Sequence, residues 1–369
     1  MDRPSGECGT APRPKPVPST GRRSGMSRIA ARRWWAVLAA AALLLVPLIR
    51  AQESPKGGRR EGELRTFINP EAADLNTKLE VLQQTLYEVN QKLTNLTFQQ
   101  RYGDRVRMER VMYPNSEHGL TPGYVFSPAR SEKGERHPGL VAVHGGYHFS
   151  LDEEFFGFIE RAAAEGYLVI FPEYRGSRGY GAEHYKEQDY GGKDVDDVLD
   201  AADYLASRAG VEPGRLGIVG RSRGGMIALL AIERSPKKFR AAVDVVGIAD
   251  FLAYMSYKPE YRRQDVARTP RFGGTPFENL PAYLDASPLT HVDRIETPLL
   301  IHATTLDRTV PVQLHTERLI DALKARGKDF EAKIYDRAPG GYGFSQGDSE
   351  AARDSADRIF TFLAKHLKP

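Results

Sequence analysis

The spacing of apolar residues from Arg105 onward predicts an α/β fold. Short apolar runs of strand length alternate with longer stretches of helical period. This alternation indicates a mostly parallel sheet with helices on both of its faces. The predicted strands, of which the first two form an opening antiparallel pair, are 107–113, 123–127, 140–143, 167–171, 216–219, 241–246, 299–302 and 330–335. The predicted helices are 152–165, 193–208, 224–233, 312–326 and 349–366.

A second periodic pattern lies upstream, where apolar side chains recur at alternating steps of four and three residues. This heptad spacing predicts a helix with one apolar seam. The seam can join copies of the chain in a short coiled coil, or it can pack the helix on its own domain, and the spacing fits both. The residues of the seam are Leu75, Leu79, Leu82, Leu86, Val89, Leu93 and Leu96.

The N-terminal region has the layout of a secretory signal peptide. A basic stretch after Met26 is followed by an apolar run over 34–49, and Ile49 with Ala51 fits a cleavage site. The run is shorter than the ~20 residues that span a bilayer. We therefore expect a secreted or periplasmic protein without a stable membrane span after processing, the alternative being an uncleaved membrane anchor. The predicted organisation is an extension and signal peptide (1–51), a linker and heptad helix (52–104) and a main domain (105–369).

Charge and composition exclude several classes of function. Residues 1–51 hold nine Arg and Lys and two acidic residues, so the rest of this +4 chain has a net charge of −3. The main domain is therefore not expected to bind nucleic acid. The sequence has no metal-ligand cluster, dinucleotide loop or phosphate loop, which predicts no metal and no cofactor. Its one cysteine, Cys8, precedes the signal segment, so a thiol nucleophile is not expected in the mature chain.

The sequence LGIVGRSRGGMIALL (216–230) carries the strongest chemical signal. It places a G-x-S-x-G turn between an apolar strand and an apolar helix, which is the nucleophile elbow of an α/β-hydrolase. Such a turn exposes the hydroxyl of Ser222 above the sheet at the start of a helix. We predict Ser222 as the nucleophile, and the backbone N–H of Arg223 as one donor to the oxyanion.

Two further loops supply the remaining expected parts of the site. GLVAVHGGYHFS (139–150) places Gly145 and Gly146 after a strand, where their backbone N–H groups can face a tetrahedral intermediate. His144 in the same loop is expected to form structural hydrogen bonds. LLIHATTLDRTVP (299–311) places Asp307 after a strand, in the chain order nucleophile, acid, base that this fold uses. We predict Asp307 as the acid that orients the base.

Over roughly residues 106–369 these motifs resemble the catalytic domain of the prolyl oligopeptidase family. The resemblance implies an α/β-hydrolase fold, a Ser222 nucleophile and an Asp307 acid. Only about fifty residues separate the signal segment from this domain, so we expect no β-propeller ahead of it. The segments that carry the resemblance are FPEYRGSRGYG (171–181), GGKDVDDVLDAADYL (191–205), GRSRGG (220–225), RFGGTP (271–276) and YLDASPLTHVDRIETPLLIHA (283–303).

The resemblance also locates the base, and there the sequence departs from the family. The family's base falls in a glycine-rich His-Gly-Phe-type loop, and APGGYGF (338–344) puts Tyr342 at that position. A tyrosine with a reference pKa of ~10 keeps its proton at neutral pH and cannot take one from Ser222. His148, beside the oxyanion loop, is the least remote substitute, but no histidine lies on the base loop itself.

Two functions fit these observations. The first is an exported serine hydrolase, a peptidase or esterase impaired at its base and acting on a peptide or small ester. The second is an inactive pseudo-hydrolase that binds or scaffolds other molecules and forms homo-oligomers through residues 75–96. Residues 251–290, rich in Tyr, Arg and Pro, sit where such enzymes carry a lid and suggest an aromatic, partly basic pocket.

Overall fold

The structure, a computed structural model, describes residues 74–132, 134–338 and 349–368. All eight predicted strands are present in one sheet. The strands are β1 (Val106–Pro114), β2 (Leu120–Pro128), β3 (His137–Val143), β4 (Leu168–Pro172), β5 (Val211–Arg221), β6 (Ala241–Val245), β7 (Leu299–Thr304) and β8 (Phe330–Tyr335). The helices are α1 (Leu75–Tyr102), α2 (Phe156–Ala164), α3 (Ala182–Lys186), α4 (Lys193–Ala206), α5 (Arg223–Arg234), α6 (Phe251–Ser256), α7 (Glu260–Ala267), α8 (Leu280–Asp285), α9 (Thr316–Ala325) and α10 (Glu350–Leu367). Short 3-10 turns lie at Glu153–Phe155, Pro288–Thr290 and Val292–Arg294.

The sheet confirms the predicted mostly parallel arrangement. Its strand order is β1-β2-β4-β3-β5-β6-β7-β8. The first strand pairs antiparallel with β2, and β2 pairs antiparallel with β4. From β4 to β8 in this order, each strand is parallel to the next one. Parallel strands need crossover connections, and the helices between them provide these crossovers.

Helices cover both faces of the sheet, and each face has its own apolar core. On one face α4, α5 and α9 bury side chains such as Val195, Ile227 and Leu319. On the other face α1, α2 and α10 bury side chains such as Phe98 and Leu363. Because both faces are covered, the central strands are mostly apolar, and β4 and β6 are buried at every residue.

The heptad helix α1 belongs to the same compact unit as the sheet, but it does not use its seam to pack there. The Asp74 side chain caps its first turn by accepting the backbone N–H of Asn76 at 2.8 Å. The face that contacts the domain buries Gln91, Thr94 and Phe98. The seven seam residues lie on the other side, with exposed fractions from 46% at Leu82 to 69% at Leu75.

The topology places the candidate site at the carboxyl ends of the parallel strands. The loops that follow β3, β5 and β7 meet at this edge, which is where open α/β sheets bind their ligands. Between β6 and β7 the chain forms the short helices α6, α7 and α8, which make up the predicted insertion. None of the helices in the described parts of the chain is both long and apolar enough to cross a bilayer.

Candidate active site

Ser222 occupies a strained turn between β5 and α5. Its backbone has φ 55° and ψ −118°, a left-handed conformation that few residues other than glycine adopt. Its N–H donates to the carbonyl of Val245 at 2.9 Å, and its carbonyl accepts the N–H of Met226 at 3.1 Å. A backbone of this kind stores about 1–3 kcal/mol and persists only where the surrounding structure enforces it. The nucleophile elbow expected from the sequence is therefore present as a local conformation.

Two glycines make this turn sterically possible. A Cβ atom on Gly220 would lie 2.0 Å from the carbonyl oxygen of Gly224. A Cβ atom on Gly224 would lie 2.2 Å from the carbonyl oxygen of Val143 and 2.6 Å from that of His144. The G-x-S-x-G spacing therefore lets α5 start directly against the loop that follows β3. The same contact brings Ser222 next to the predicted oxyanion loop.

His144 anchors the oxyanion loop through contacts with Tyr174 and Ser177. The imidazole stacks on the Tyr174 ring with 4.2 Å between centroids, and its Nε2 lies 3.0 Å from the Ser177 hydroxyl. Burial lowers the pKa of His144 to about 3, so the ring is neutral at physiological pH. The expectation of a structural role agrees with these contacts. Gly146, with φ 76°, reaches the pocket that contains Ser222, whereas Gly145 is buried behind it.

The side chain of Arg223 has a structural role that could not be predicted from the sequence. The motif predicts a role only for its backbone N–H, as a donor to the oxyanion. The guanidinium is buried and forms an ion pair with Asp194 at 2.9 Å. It also donates to the carbonyl of Tyr147 at 3.1 Å and to the carbonyl of Asp189. The guanidinium lies 4.2 Å from the centroid of the Tyr190 ring. Arg223 thus ties the start of α5 to the oxyanion loop and to α4.

Asp307 is fixed at the other side of the same pocket. Its Oδ1 accepts the backbone N–H groups of Thr309 at 2.7 Å and Val310 at 2.8 Å. The side chain is 5% exposed. Two backbone donors hold the carboxylate in one orientation. This geometry suits a residue that orients an imidazole.

The pocket brings together most of the residues expected at the site. It has a volume of about 410 Å³ and is lined by Ser222, Asp307, Gly146 and Arg223. The insertion between β6 and β7 forms the opposite wall, as expected of a lid. Its lining residues are Tyr254, Lys258, Pro259, Tyr261 and Arg262, and the remaining lining residues are Tyr147, Phe149, Tyr190, Val246, Thr309 and Val310.

Comparison with known proteins identifies the family. The sequence profile of the prolyl oligopeptidase family matches residues 153–369, more than half of the chain. The chain belongs to the prolyl oligopeptidase family. The resemblance inferred from the motifs is therefore confirmed, and with it the α/β-hydrolase fold. Membership makes the chain a serine peptidase by family.

Similar proteins include peptidases of bacteria and an acylamino-acid-releasing enzyme of a plant. The chain is 32% identical over 225 residues to "Uncharacterized peptidase YuxL" of Bacillus subtilis, a match that covers 60% of this chain and 33% of that protein. It is 27% identical to the acylamino-acid-releasing enzyme of Arabidopsis thaliana over 58% of this chain and 28% of that enzyme. The chain thus spans about a third of the length of these relatives.

A solved structure shows the same relationship. The chain is similar to a puromycin-hydrolyzing peptidase of Mycobacterium tuberculosis, with 28% identity and a TM-score of 0.61. The match covers 71% of this chain and 39% of that peptidase.

Tyr342, where the motif resemblance locates the base, lies outside the described residues. None of the described histidines lines the pocket with Ser222. The imidazole of His148 is engaged with the Gly176 carbonyl at 2.7 Å, and burial lowers its pKa to about 4. His315 is bound to the Tyr257 hydroxyl at 2.7 Å, and His302 to the Ser355 hydroxyl at 2.9 Å. Each of these rings has a structural partner.

Proposed function

We propose that this pocket hydrolyses peptide or ester bonds by nucleophilic attack of Ser222. Asp307 orients the base, and the backbone N–H groups of Arg223 and Gly146 stabilise the oxyanion. The observation that carries the proposal is the strained Ser222 at the head of α5, in one pocket with the immobilised Asp307 carboxylate. A surface serine in an ordinary turn has no need of either feature.

We propose further that turnover is weak because Tyr342 stands where the family has its base. A phenol with a pKa near ~10 cannot accept the Ser222 proton at pH 7. Oxyanion stabilisation and substrate binding alone still accelerate hydrolysis by ~10³–10⁴ over water. The second candidate is an inactive binding or scaffold protein. The strained turn at Ser222 favours the hydrolase over the binding protein, because the strain costs stability and only a nucleophile needs that conformation.

Labelling with a fluorophosphonate probe tests the nucleophile without requiring turnover. The probe phosphonylates an activated serine and leaves a covalent mark that mass spectrometry can locate. We expect slow labelling at Ser222, with Ser222→Ala as the control that removes it. A chain that stays unlabelled over long incubation while folded would support the binding-protein candidate instead.

The names of the relatives suggest the class of substrate. One relative releases acylamino acids, and the similar structure is a puromycin-hydrolyzing peptidase. We propose that the substrate is a short peptide or blocked amino acid, and that an aromatic or apolar side chain packs in the pocket. This is supported by the rings of Tyr147, Tyr190 and Tyr254, which line it.

We propose a second copy of this chain as the partner of the α1 seam. Seven apolar side chains at heptad spacing are about half to two-thirds exposed, and an outward-facing seam of this kind matches itself in a coiled coil. Molar mass in solution tests this. We expect a dimer for the mature chain, a monomer for Leu86→Glu, and a dimer for the exposed off-seam control Gln99→Glu. A monomer in all three would refute the seam as an interface.

We propose that the protein is secreted or periplasmic, the alternative being an anchor formed by an uncleaved signal segment. The proposal is supported by the basic and apolar order of residues after Met26. N-terminal sequencing of protein from the producing cell should find a start near Gln52. Intact residues 26–51 on a cytosolic form of the protein would contradict export.

A further inference from the structure

Two cationic side chains of the insertion line the same pocket as Ser222. Lys258 precedes α7 and Arg262 lies in its first turn. The Lys258 ammonium donates to the carbonyl of Thr309 at 3.3 Å and lies 3.9 Å from the centroid of the Tyr254 ring. The Arg262 guanidinium carbon lies 3.5 Å from the centroid of the Tyr147 ring. Aromatic faces therefore hold both cations against the pocket wall.

Neither cation has a close carboxylate partner in the pocket. The carboxylate nearest to Arg262 is that of Asp265, 3.8 Å away, which does not line the pocket. Lys258 forms no ion pair among the residues that the structure describes. Of the other two charged lining residues, Arg223 is paired with Asp194, and Asp307 supplies one negative charge against the two cations. The insertion therefore gives the pocket a surplus of positive charge.

We propose that Lys258 and Arg262 form a carboxylate-binding subsite. The preferred substrates are acylated amino acids or short peptides that carry a carboxylate close to the bond attacked by Ser222. The inference rests on the proposed function in one respect, namely that this pocket binds the substrate of Ser222. An arginine presents paired N–H donors that match a carboxylate, and a lysine adds a point charge beside it.

The surroundings of Lys258 fit this role. The pKa of Lys258 is lowered to about 8, mainly by burial, while Asp307 acts to raise this pKa and Arg262 to lower it. The other titratable neighbours are uncharged at neutral pH, because burial raises the pKa values of Tyr254 and Tyr257 and lowers that of His315 to about 4. A bound carboxylate would favour the charged lysine. Binding of the acid should accordingly weaken as the pH rises above about 8.

The test measures binding rather than turnover, so that it does not depend on an active base. The protein is the full chain with Ser222→Ala, and the probes are three matched ligands studied by titration calorimetry. N-acetylphenylalaninamide is neutral, N-acetylphenylalanine has a carboxylate on the leaving side, and N-succinylphenylalaninamide has one on the acyl side. A charge-assisted contact should make at least one acid bind about 10–100-fold tighter than the neutral amide. The acid that is preferred tells which side of the scissile bond faces the cations.

Variants separate charge from packing. Lys258→Met with Arg262→Met should reduce the preference for the acid over the neutral amide to less than about threefold. The charge-conserving pair Lys258→Arg with Arg262→Lys should keep most of the preference. Lys237→Met, an exposed change in the loop before β6, controls for net charge. The inference is overturned if neither acid binds tighter than the amide, or if the double Met variant keeps the preference. Failure of wild-type Ser222 to take the fluorophosphonate would instead refute the proposed function and leave these binding results valid.

Discussion

The buried ion pair between Arg223 and Asp194 should be one of the most sensitive points of the fold. Both side chains are almost completely removed from solvent, at 2% and 0% exposure. Arg223→Met keeps the volume of the side chain and the backbone N–H, but it leaves a carboxylate buried without a counter-charge. Breaking such a pair from one side destabilises a protein by about 3–5 kcal/mol. The carbonyls of Tyr147 and Asp189 also lose a donor, while the N–H groups of Gly192 and Val195 still satisfy Asp194 Oδ1 at 2.9 Å.

Urea unfolding of wild type, Arg223→Met, and Arg223→Met with Asp194→Asn measures this cost. We expect the single variant to lose about 3–5 kcal/mol and the asparagine to restore about 2 kcal/mol, because it removes the uncompensated charge and can keep its contacts with the backbone. Burial raises the pKa of Asp194 and Arg223 opposes this, so the pKa should rise further without the arginine. The penalty should therefore shrink as the pH is lowered, because the buried carboxyl of the variant takes up a proton and loses its uncompensated charge. A loss below about 1 kcal/mol, or an asparagine that adds to the loss, would refute the reasoning.

Two further predictions concern the elbow and the buried acid beneath the oxyanion loop. Gly224→Ala puts a Cβ 2.2 Å from the carbonyl oxygen of Val143. We expect it to lower the free energy of unfolding by ~1–3 kcal/mol and to abolish fluorophosphonate labelling of Ser222. Gly157→Ala in α2, where a Cβ meets nothing within 4 Å, should be neutral or slightly stabilising in the same unfolding assay. Burial raises the pKa of Glu173 to about 8, so the wild type binds an extra proton on folding between about pH 5 and 8 and loses stability as the pH rises through that range. Glu173→Gln should gain stability relative to wild type by up to ~1.4 kcal/mol per pH unit there, and a difference that stays constant with pH would contradict the assignment.

The sequence was sufficient to predict the strands of the sheet and the presence of Ser222 and Asp307 in one pocket. Strands buried on both faces are continuous apolar runs, and the carboxyl ends of parallel strands meet at one edge, so order along the chain implied closeness in space. The steric need for Gly220 and Gly224 could also be read from the motif, because the turn tolerates no Cβ at either position.

Other features depend on contacts between distant segments and could not be predicted in this way. Heptad spacing identified the seam of α1 but not its direction, and the helix docks through Gln91, Thr94 and Phe98, a face that is largely polar. The Arg223 side chain finds its partner Asp194 on another helix, and no local pattern signals such a pair. The cations Lys258 and Arg262 reach the pocket only because the insertion folds back over the strand ends. Clustering of Arg, Lys and Tyr in residues 254–263 was the one available signal.

We propose that this chain carries the machinery of a serine hydrolase apart from its base, and a histidine at position 342 should therefore restore hydrolysis. The measurement is hydrolysis of a simple aryl ester by wild type, Tyr342→His, and Tyr342→His with Ser222→Ala. Loss of the triad histidine lowers turnover by about 10⁶ in subtilisin, so even partial recovery should raise kcat by several orders of magnitude. We expect a nearly inactive wild type, recovery of ester hydrolysis in Tyr342→His, and loss of that hydrolysis when Ser222→Ala is added. Robust turnover by the wild type that Tyr342→His leaves unchanged would mean that a different base acts in this pocket, and it would contradict the account.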